Sequence, residues 1–343
     1  MKIDLRSDTV TRPSSGMLEA MMQASVGDDV FNEDPTVSQL QHKCAALFGM
    51  EDALFCTSGT MTNQLAIKVH TRPAEELICD VNSHIYHYEN GGISFISGVQ
   101  AKLINGDRGR ISAEQIGQAI NPDMDWLCKS SLVCLENTVN KAGGSFYQLS
   151  EIKKIRDLAL EKGLKLHLDG ARIFNALAET GEGPSDYGKL FDSISICLSK
   201  GLGAPYGSVI IGSKEFIRQC RRYRKSIGGN VRQAGYMAAA GIYALDNNVE
   251  ILKEDNRRAA EIGTVLSQLS FVENLLPVST NIVIFDLKKS MPFQKFQQLM
   301  NEHGVQFSAF GPQTVRFVTH LDFTDEMLET TIRTLNKINH HHH

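Results

Sequence analysis

Residues 151–172 read EIKKIRDLALEKGLKLHLDGAR. An amphipathic helical pattern fills 151–162, with Ser150 ahead of it as the expected N-cap and Gly163 behind it at the C′ position. The apolar run 164–169 follows at once and ends on Asp169 and a small-residue turn to Arg172. A helix feeding directly into a short, continuous apolar strand is the repeating unit of a parallel sheet. Working outward, the same texture recurs. Strands are expected at 53–57, 76–80, 101–104, 131–136, 164–169, 193–198 and 208–212, with helices between most of them. Their apolar runs are continuous, not alternating, which reads as strands covered on both faces. The expected fold is α/β, with a large, doubly wound, mostly parallel seven-stranded sheet. The texture changes after 233–246: a long helical pattern (249–270) leads to strands near 281–287 and 314–318 and helices near 292–303 and 324–337. This gives a large domain over 1–246, including the N-terminal segment, and a smaller C-terminal α/β domain over 247–339. Residues 340–343 are four histidines that read as a purification-tag remnant.

Composition narrows the function. Of 343 residues, 42% are hydrophobic and 22% charged, an ordinary globular balance. The net charge of −4 offers no basic surplus for nucleic acid or an anionic membrane. No apolar stretch approaches the length of a membrane span, and MKIDLRSDTV carries no signal-peptide core. The seven cysteines (44, 56, 79, 128, 134, 197 and 220) are scattered without a CxxC pair. Reduced thiols in a cytosolic protein suit this pattern better than disulfides or a metal site, so no metal is expected.

Three segments carry chemistry. The turn Thr57-Ser58-Gly59-Thr60 follows one strand and opens a helical pattern, so its backbone N–H groups and the helix dipole suit a phosphate. A plain capped turn would read the same way. No GxGxxG or GxxxxGK[ST] is present, which argues against a dinucleotide fingerprint or a P-loop. Asp169 ends another strand, where a carboxylate could hold a protonated heterocyclic nitrogen. Arg172, three residues on, could grip a carboxylate with both arms of its guanidinium, or the two could simply form a helix-capping turn. Lys200 follows a third strand, flanked by Ser199 and by Gly201 and Gly203. Desolvation there would favour the neutral amine that forms a Schiff base, although a lysine snorkelling from a loop fits as well.

Taken together, the order of phosphate turn, strand-end Asp and later strand-end Lys is similar to that of fold-type I pyridoxal 5′-phosphate (PLP) enzymes. The resemblance then sharpens to the low-specificity L-threonine aldolase family within the beta-eliminating lyases. It is carried by Asp4-Leu5-Arg6-Ser7-Asp8-Thr9-Val10-Thr11, by Val26-Gly27-Asp28-Asp29-Val30 with Glu33-Asp34-Pro35-Thr36-Val37, and by Ser83-His84-Ile85 and Glu136-Asn137-Thr138. Asp169-Gly170-Ala171-Arg172, Ser199-Lys200-Gly201-Leu202-Gly203-Ala204-Pro205, Arg232-Gln233-Ala234-Gly235 and Arg316-Phe317-Val318-Thr319-His320 continue it through nearly the full chain.

The resemblance implies roles. Lys200 forms the Schiff base, Asp169 pairs with the pyridinium nitrogen, and His84 stacks on the ring and is the candidate acid–base group. Ser58, Gly59 and Thr60 bind the phosphate, joined by Lys225 and Arg232 from a basic stretch that closes the cofactor site, partly from a neighbouring subunit. Ser7, Arg172 and Arg316 hold the carboxylate of a small amino-acid substrate. A homo-oligomer with shared active sites follows, usually a tetramer built as a dimer of dimers. His87 is read as a surface or packing residue and His167 as a satisfied core histidine. Two positions depart from the family. Val139 stands where a histidine commonly follows Glu-Asn-Thr, and Phe31-Asn32 stands where Tyr-Gly is usual. The first removes a group near the substrate's β-hydroxyl and opens the site to bulkier β-substituents. The expected reaction is the reversible cleavage of L-threonine or L-allo-threonine to glycine and acetaldehyde.

Overall fold

A computed structural model describes residues 2–340 of the chain; 341–343, the rest of the expected tag, lie outside the described residues. The seven strands all form: β1 (Asp52–Cys56), β2 (Glu76–Asp80), β3 (Gln100–Ile104), β4 (Ser130–Glu136), β5 (Lys165–Gly170), β6 (Ser193–Cys197) and β7 (Ser208–Gly212). They build one sheet in the order β1-β7-β6-β5-β4-β2-β3. Only β7 runs against its neighbours; the others are parallel. Strands β2, β4, β6 and β7 are buried throughout, as continuous apolar runs demand of a sheet covered on both faces. Register sets Glu136 on β4 beside Asp169 on β5, and Asp169 beside Ser195 on β6. The three segments singled out above therefore emerge at one edge, the C-terminal ends of the parallel strands, where ligands bind in open α/β sheets.

The helix before β5 spans Leu149–Lys162 and ends at Gly163, whose φ of 66° suits the residue without a side chain. Its N-cap is Gln148, not Ser150: the Glu151 carboxylate accepts the Gln148 N–H at 2.7 Å, which starts the helix earlier than expected. The second unit is a four-stranded antiparallel sheet, β8 (Val272–Leu275), β9 (Ile282–Leu287), β10 (Ser308–Ala309) and β11 (Thr314–Val318), in the order β10-β11-β9-β8. Helices Leu252–Leu266, Phe293–Glu302 and Asp325–His340 cover it. Sequence patterning missed β8 and β10, which are short and largely exposed and so lack an apolar run.

Each unit has its own apolar cluster. The larger includes Val133, Leu166, Leu168, Ile194, Ile196 and Val209; the smaller includes Phe285, Phe296 and Phe317. Ile3 and Leu5 belong to the smaller cluster, because Ile3–Asp4 pairs in parallel with Val305–Gln306. The N-terminal segment thus crosses from one unit to the other and carries Ser7 and Asp8 into the groove between them. All seven cysteines are free, and six are buried. No described helix is long and apolar enough to cross a membrane.

Candidate active site

Asp169 is buried at the sheet edge. Its Oδ2 accepts from Asn63 Nδ2 at 2.8 Å and its Oδ1 from Ala171 N at 3.2 Å. Asn63 stands one turn into helix Gly59–His70, which begins at the expected phosphate turn. Ser58 caps that helix, its Oγ accepting from Met61 N at 3.2 Å. The hydroxyl is thus committed to the cap, whereas Gly59 and Thr60 stand at the open first turn, whose N–H groups have no intrahelical acceptor. Gly59 has to lack a side chain, since a Cβ there would stand 2.7 Å from Cys197 Sγ.

His84 opens a short helix, and its N–H donates to Glu136 Oε2 at 2.7 Å. Its Nδ1 meets Glu89 Oε1 at 3.1 Å. A carboxylate accepts, so Nδ1 carries the hydrogen and Nε2 keeps its lone pair in the neutral ring. Burial opposes charge on this imidazole, but the Glu89 hydrogen bond together with the Asp169 and Glu136 charges lifts the His84 pKa above its ordinary value. Glu89, buried, also accepts from Asn63 Nδ2 at 2.9 Å and Gln64 Nε2 at 2.6 Å. His84, Glu89 and Asp169 bring their ligand-type atoms within 4.8 Å of one another, a trio a metal could use, but hydrogen bonds already occupy all three. Glu136 is buried as well; burial, then the Asp169 charge beside it, push its carboxyl up to about 7.

Lys200 is half-buried in the turn after β6, where the Gly203 N–H bonds its carbonyl at 2.8 Å. Its charge acts on both Asp8 and His84. Arg172 is buried and spends two donors on Asp8: Nε to Oδ2 at 2.6 Å and Nη2 to Oδ1 at 2.8 Å. Asp8 therefore takes the Nε/Nη2 side of the Arg172 guanidinium. Its two Nη1 hydrogens and the second Nη2 hydrogen are what remain for a substrate. Ser7 accepts from Thr9 N at 3.2 Å as the cap of a 3₁₀ turn. Arg316 on β11 donates through Nη1 to Asn140 Oδ1 at 2.8 Å and through Nη2 to Arg6 O at 3.1 Å, with the Phe310 ring 4.8 Å from its guanidinium carbon. Its Nε is buried without a partner. Burial, then Arg172, bring the Arg316 pKa down to about 10. A cation so held, with a donor to spare, calls for an anion.

Lys225 and Arg232 are exposed, and Arg232 holds Asp28 at 2.9 Å. The buried cation of this stretch is Arg224, on Asp29 Oδ2 and Phe55 O, both at 2.7 Å. His87 is exposed, on Val81 O at 2.7 Å, and His167 is a buried, fully bonded histidine, as expected. Val139 is also buried: its Cγ1 lies 2.4 Å from where a Cβ on Gly109 would stand, so it packs beneath the 108–110 turn. Asn140, Glu89, Asn63 and Asp8 drew no role from sequence. Their partners lie on other elements, up to 273 residues away, and nothing local marks them.

The donor set fits PLP: an open helix N-terminus for the phosphate, a buried carboxylate for the ring nitrogen, an imidazole, and an amine at the end of β6. Comparison with known proteins agrees. The model of the beta-eliminating lyase family matches residues 4–290. A low-specificity L-threonine aldolase of Arabidopsis thaliana is 39% identical, with 96% of this chain and 94% of that protein aligned. The Escherichia coli K12 protein of the same name is 40% identical over 95% of this chain and 96% of its own length. Among solved structures, a threonine aldolase of Leishmania major matches with a TM-score of 0.85 over 98% of this chain and 99% of that one, at 21% identity.

Proposed function

The chain belongs to the beta-eliminating lyase family, alongside the low-specificity L-threonine aldolases, and on that premise we propose how its own residues carry out the reaction. It is a PLP-dependent aldehyde-lyase that cleaves L-threonine, L-allo-threonine and related β-hydroxy-α-amino acids to glycine and an aldehyde, reversibly. PLP, when bound, supplies the electron sink that accepts the pair left at Cα. The observation that carries the reading is the buried Asp169 carboxylate at the end of β5, with Lys200 in the turn after the neighbouring strand β6.

Lys200 would be the amine that holds the cofactor covalently in the absence of substrate. Asp169 would hold the ring nitrogen, and the first-turn amides of Gly59 and Thr60 would hold the phosphate. The spare donors of Arg316 and Arg172, with Ser7, fix the substrate carboxylate, which orients the Cα–Cβ bond. His84 Nε2 takes the β-hydroxyl proton, directly or through a water. The Cα–Cβ bond then breaks, the aldehyde leaves, and Cα gains a proton to give glycine. Glu89 supports the imidazolium so formed.

We also read the chain as two domains, 1–246 and 247–339. A homo-oligomer, a tetramer built from dimers, would bring Lys225 and Arg232 to a neighbour's phosphate site; their exposure, with Phe31 67% exposed nearby in sequence to Asp28, supports this. Seven free thiols suit the cytosol. The test is product release from L-threonine and L-allo-threonine with PLP. Acetaldehyde and glycine in equal amounts are expected, and Lys200→Ala should abolish both. Pyruvate with ammonia would point to β-elimination instead, and benzaldehyde from phenylserine alone to an aromatic substrate.

A further inference from the structure

A hydrogen-bonded chain runs from Asp169 through the sheet–helix interface. Asn63, 1% exposed, turns its amide nitrogen to Asp169 Oδ2 (2.8 Å) and Glu89 Oε1 (2.9 Å). Two carboxylates fix that orientation, because the amide oxygen would repel both. The oxygen therefore points the other way, onto His167 Nε2 at 3.1 Å. A carbonyl oxygen accepts, so Nε2 bears the hydrogen. His167 is fully buried, and burial pushes its pKa down to about 4, so the ring is neutral and Nδ1 is an acceptor. The Ser193 hydroxyl at 2.8 Å is its donor. Having given its proton, Ser193 Oγ accepts from His70 Nε2, also at 2.8 Å. Every link has one polarity, from His70 through Ser193, His167 and Asn63 to Asp169. At the far end the His70 ring stacks on Phe216 with centroids 4.5 Å apart.

We propose that Asn63 and His167 are positioning residues that keep the proton shared between Asp169 and the cofactor on the ring nitrogen. This rests on the reading of Asp169 as the ring-nitrogen partner. The physical reason is direct. A hydrogen bond donated to a carboxylate lowers its proton affinity. With Asn63 donating, Asp169 competes less well for the shared proton, and the ring stays cationic. His167 acts one step back: its Nε2–H holds the Asn63 oxygen and so prevents the amide from turning. Packing alone does not call for such a chain, since apolar side chains would fill the same interface without the cost of burying an Asn, a His and a Ser.

The test uses holoenzyme carrying PLP labelled with ¹⁵N in the ring, read by NMR. In the unsubstituted enzyme the ring nitrogen should resonate in the protonated range, and His167 should show the Nε2–H tautomer. Asn63→Ala should move the proton-sharing equilibrium toward Asp169 by about tenfold, the scale of one hydrogen bond to a charged group. His167→Phe should shift it the same way by less, and His167→Gln, which restores a donor toward Asn63, should bring it back. If Asn63→Ala and His167→Phe leave the ring signal unmoved while Asp169→Ala deprotonates it, the proposal is overturned and the Asp169 reading stands. If Asp169→Ala also leaves the signal unmoved, the Asp169 reading itself fails. An Nδ1–H tautomer at His167 in the unsubstituted enzyme would reverse the chain's polarity and overturn the proposal without any variant.

Discussion

Asp8 and Arg172 face each other as a buried fork, with two nitrogens of one on two oxygens of the other at 2.6 and 2.8 Å. The pair ties the N-terminal segment to the turn after β5. Burial disfavours the Asp8 anion, yet the Arg172 charge and hydrogen bond overcome it and hold the carboxyl down at about 2, against an ordinary value of 3.8. Asp8→Asn leaves Arg172 as an uncompensated buried charge, which costs about 3–5 kcal/mol. A drop of that size in urea-unfolding free energy is expected at pH 7, together with a raised KM. The linkage has a definite sign. The folded pKa lies below the unfolded one, so the stabilisation is complete above about pH 4 and is lost as pH falls toward 2. Unfolding curves between pH 5 and 2 should show the unsubstituted protein losing this advantage over Asp8→Asn.

Arg316 is aimed by Asn140 and by the Phe310 ring. Asn140→Ala frees the guanidinium to swing, so KM for the amino acid should rise about tenfold, the worth of a hydrogen bond to a charged group, with kcat changed less. Arg316→Lys loses the fork and should raise KM further. Steady-state kinetics on both variants separates the two parameters; an Asn140→Ala enzyme with unchanged KM would sink the idea that this contact aims the clamp.

Val139→His tests whether restoring the usual histidine restores its role. The side chain is 1% exposed beneath Gly109, whose φ is 79°. The larger ring overpacks this turn, and a loss of about 1–3 kcal/mol in stability is expected. If calorimetry shows no loss and the threo/erythro ratio changes, the position faces the substrate after all.

His70 and His167 are both held neutral by burial, with pKa values pushed down to about 3 and about 4 from 6.5. Folded values below unfolded ones mean that stability is present above about pH 6.5 and lost as pH falls toward 4 and then 3. Each should contribute a slope of up to about 1.4 kcal/mol per pH unit within its window. His167→Gln should flatten the pH 6–4 portion of a stability–pH curve.

The sheet was legible because strands buried on both faces are continuous apolar runs, and β2 and β7 form over the same residues that the runs mark. Asp169 and Lys200 were legible because each ends such a run, the place where a parallel sheet binds its ligands. The short strands β8 and β10 were not, since exposed strands of a few residues leave no periodicity.

What the amino-acid order determined by itself was the alternation of helix and strand and the strand ends at which Asp169 and Lys200 stand. What the tertiary structure alone decided was how those groups are held. Arg172 reads as a free substrate clamp until folding brings Asp8 to it from 164 residues away. Val139 reads as a substrate-facing position until the 108–110 turn covers it. Asn63 and Glu89 read as nothing in particular until a helix and a loop meet over Asp169. Periodicity is a local property of the chain, whereas a buried polar group is satisfied by whatever the fold sets opposite it, and that partner leaves no mark in the neighbouring sequence.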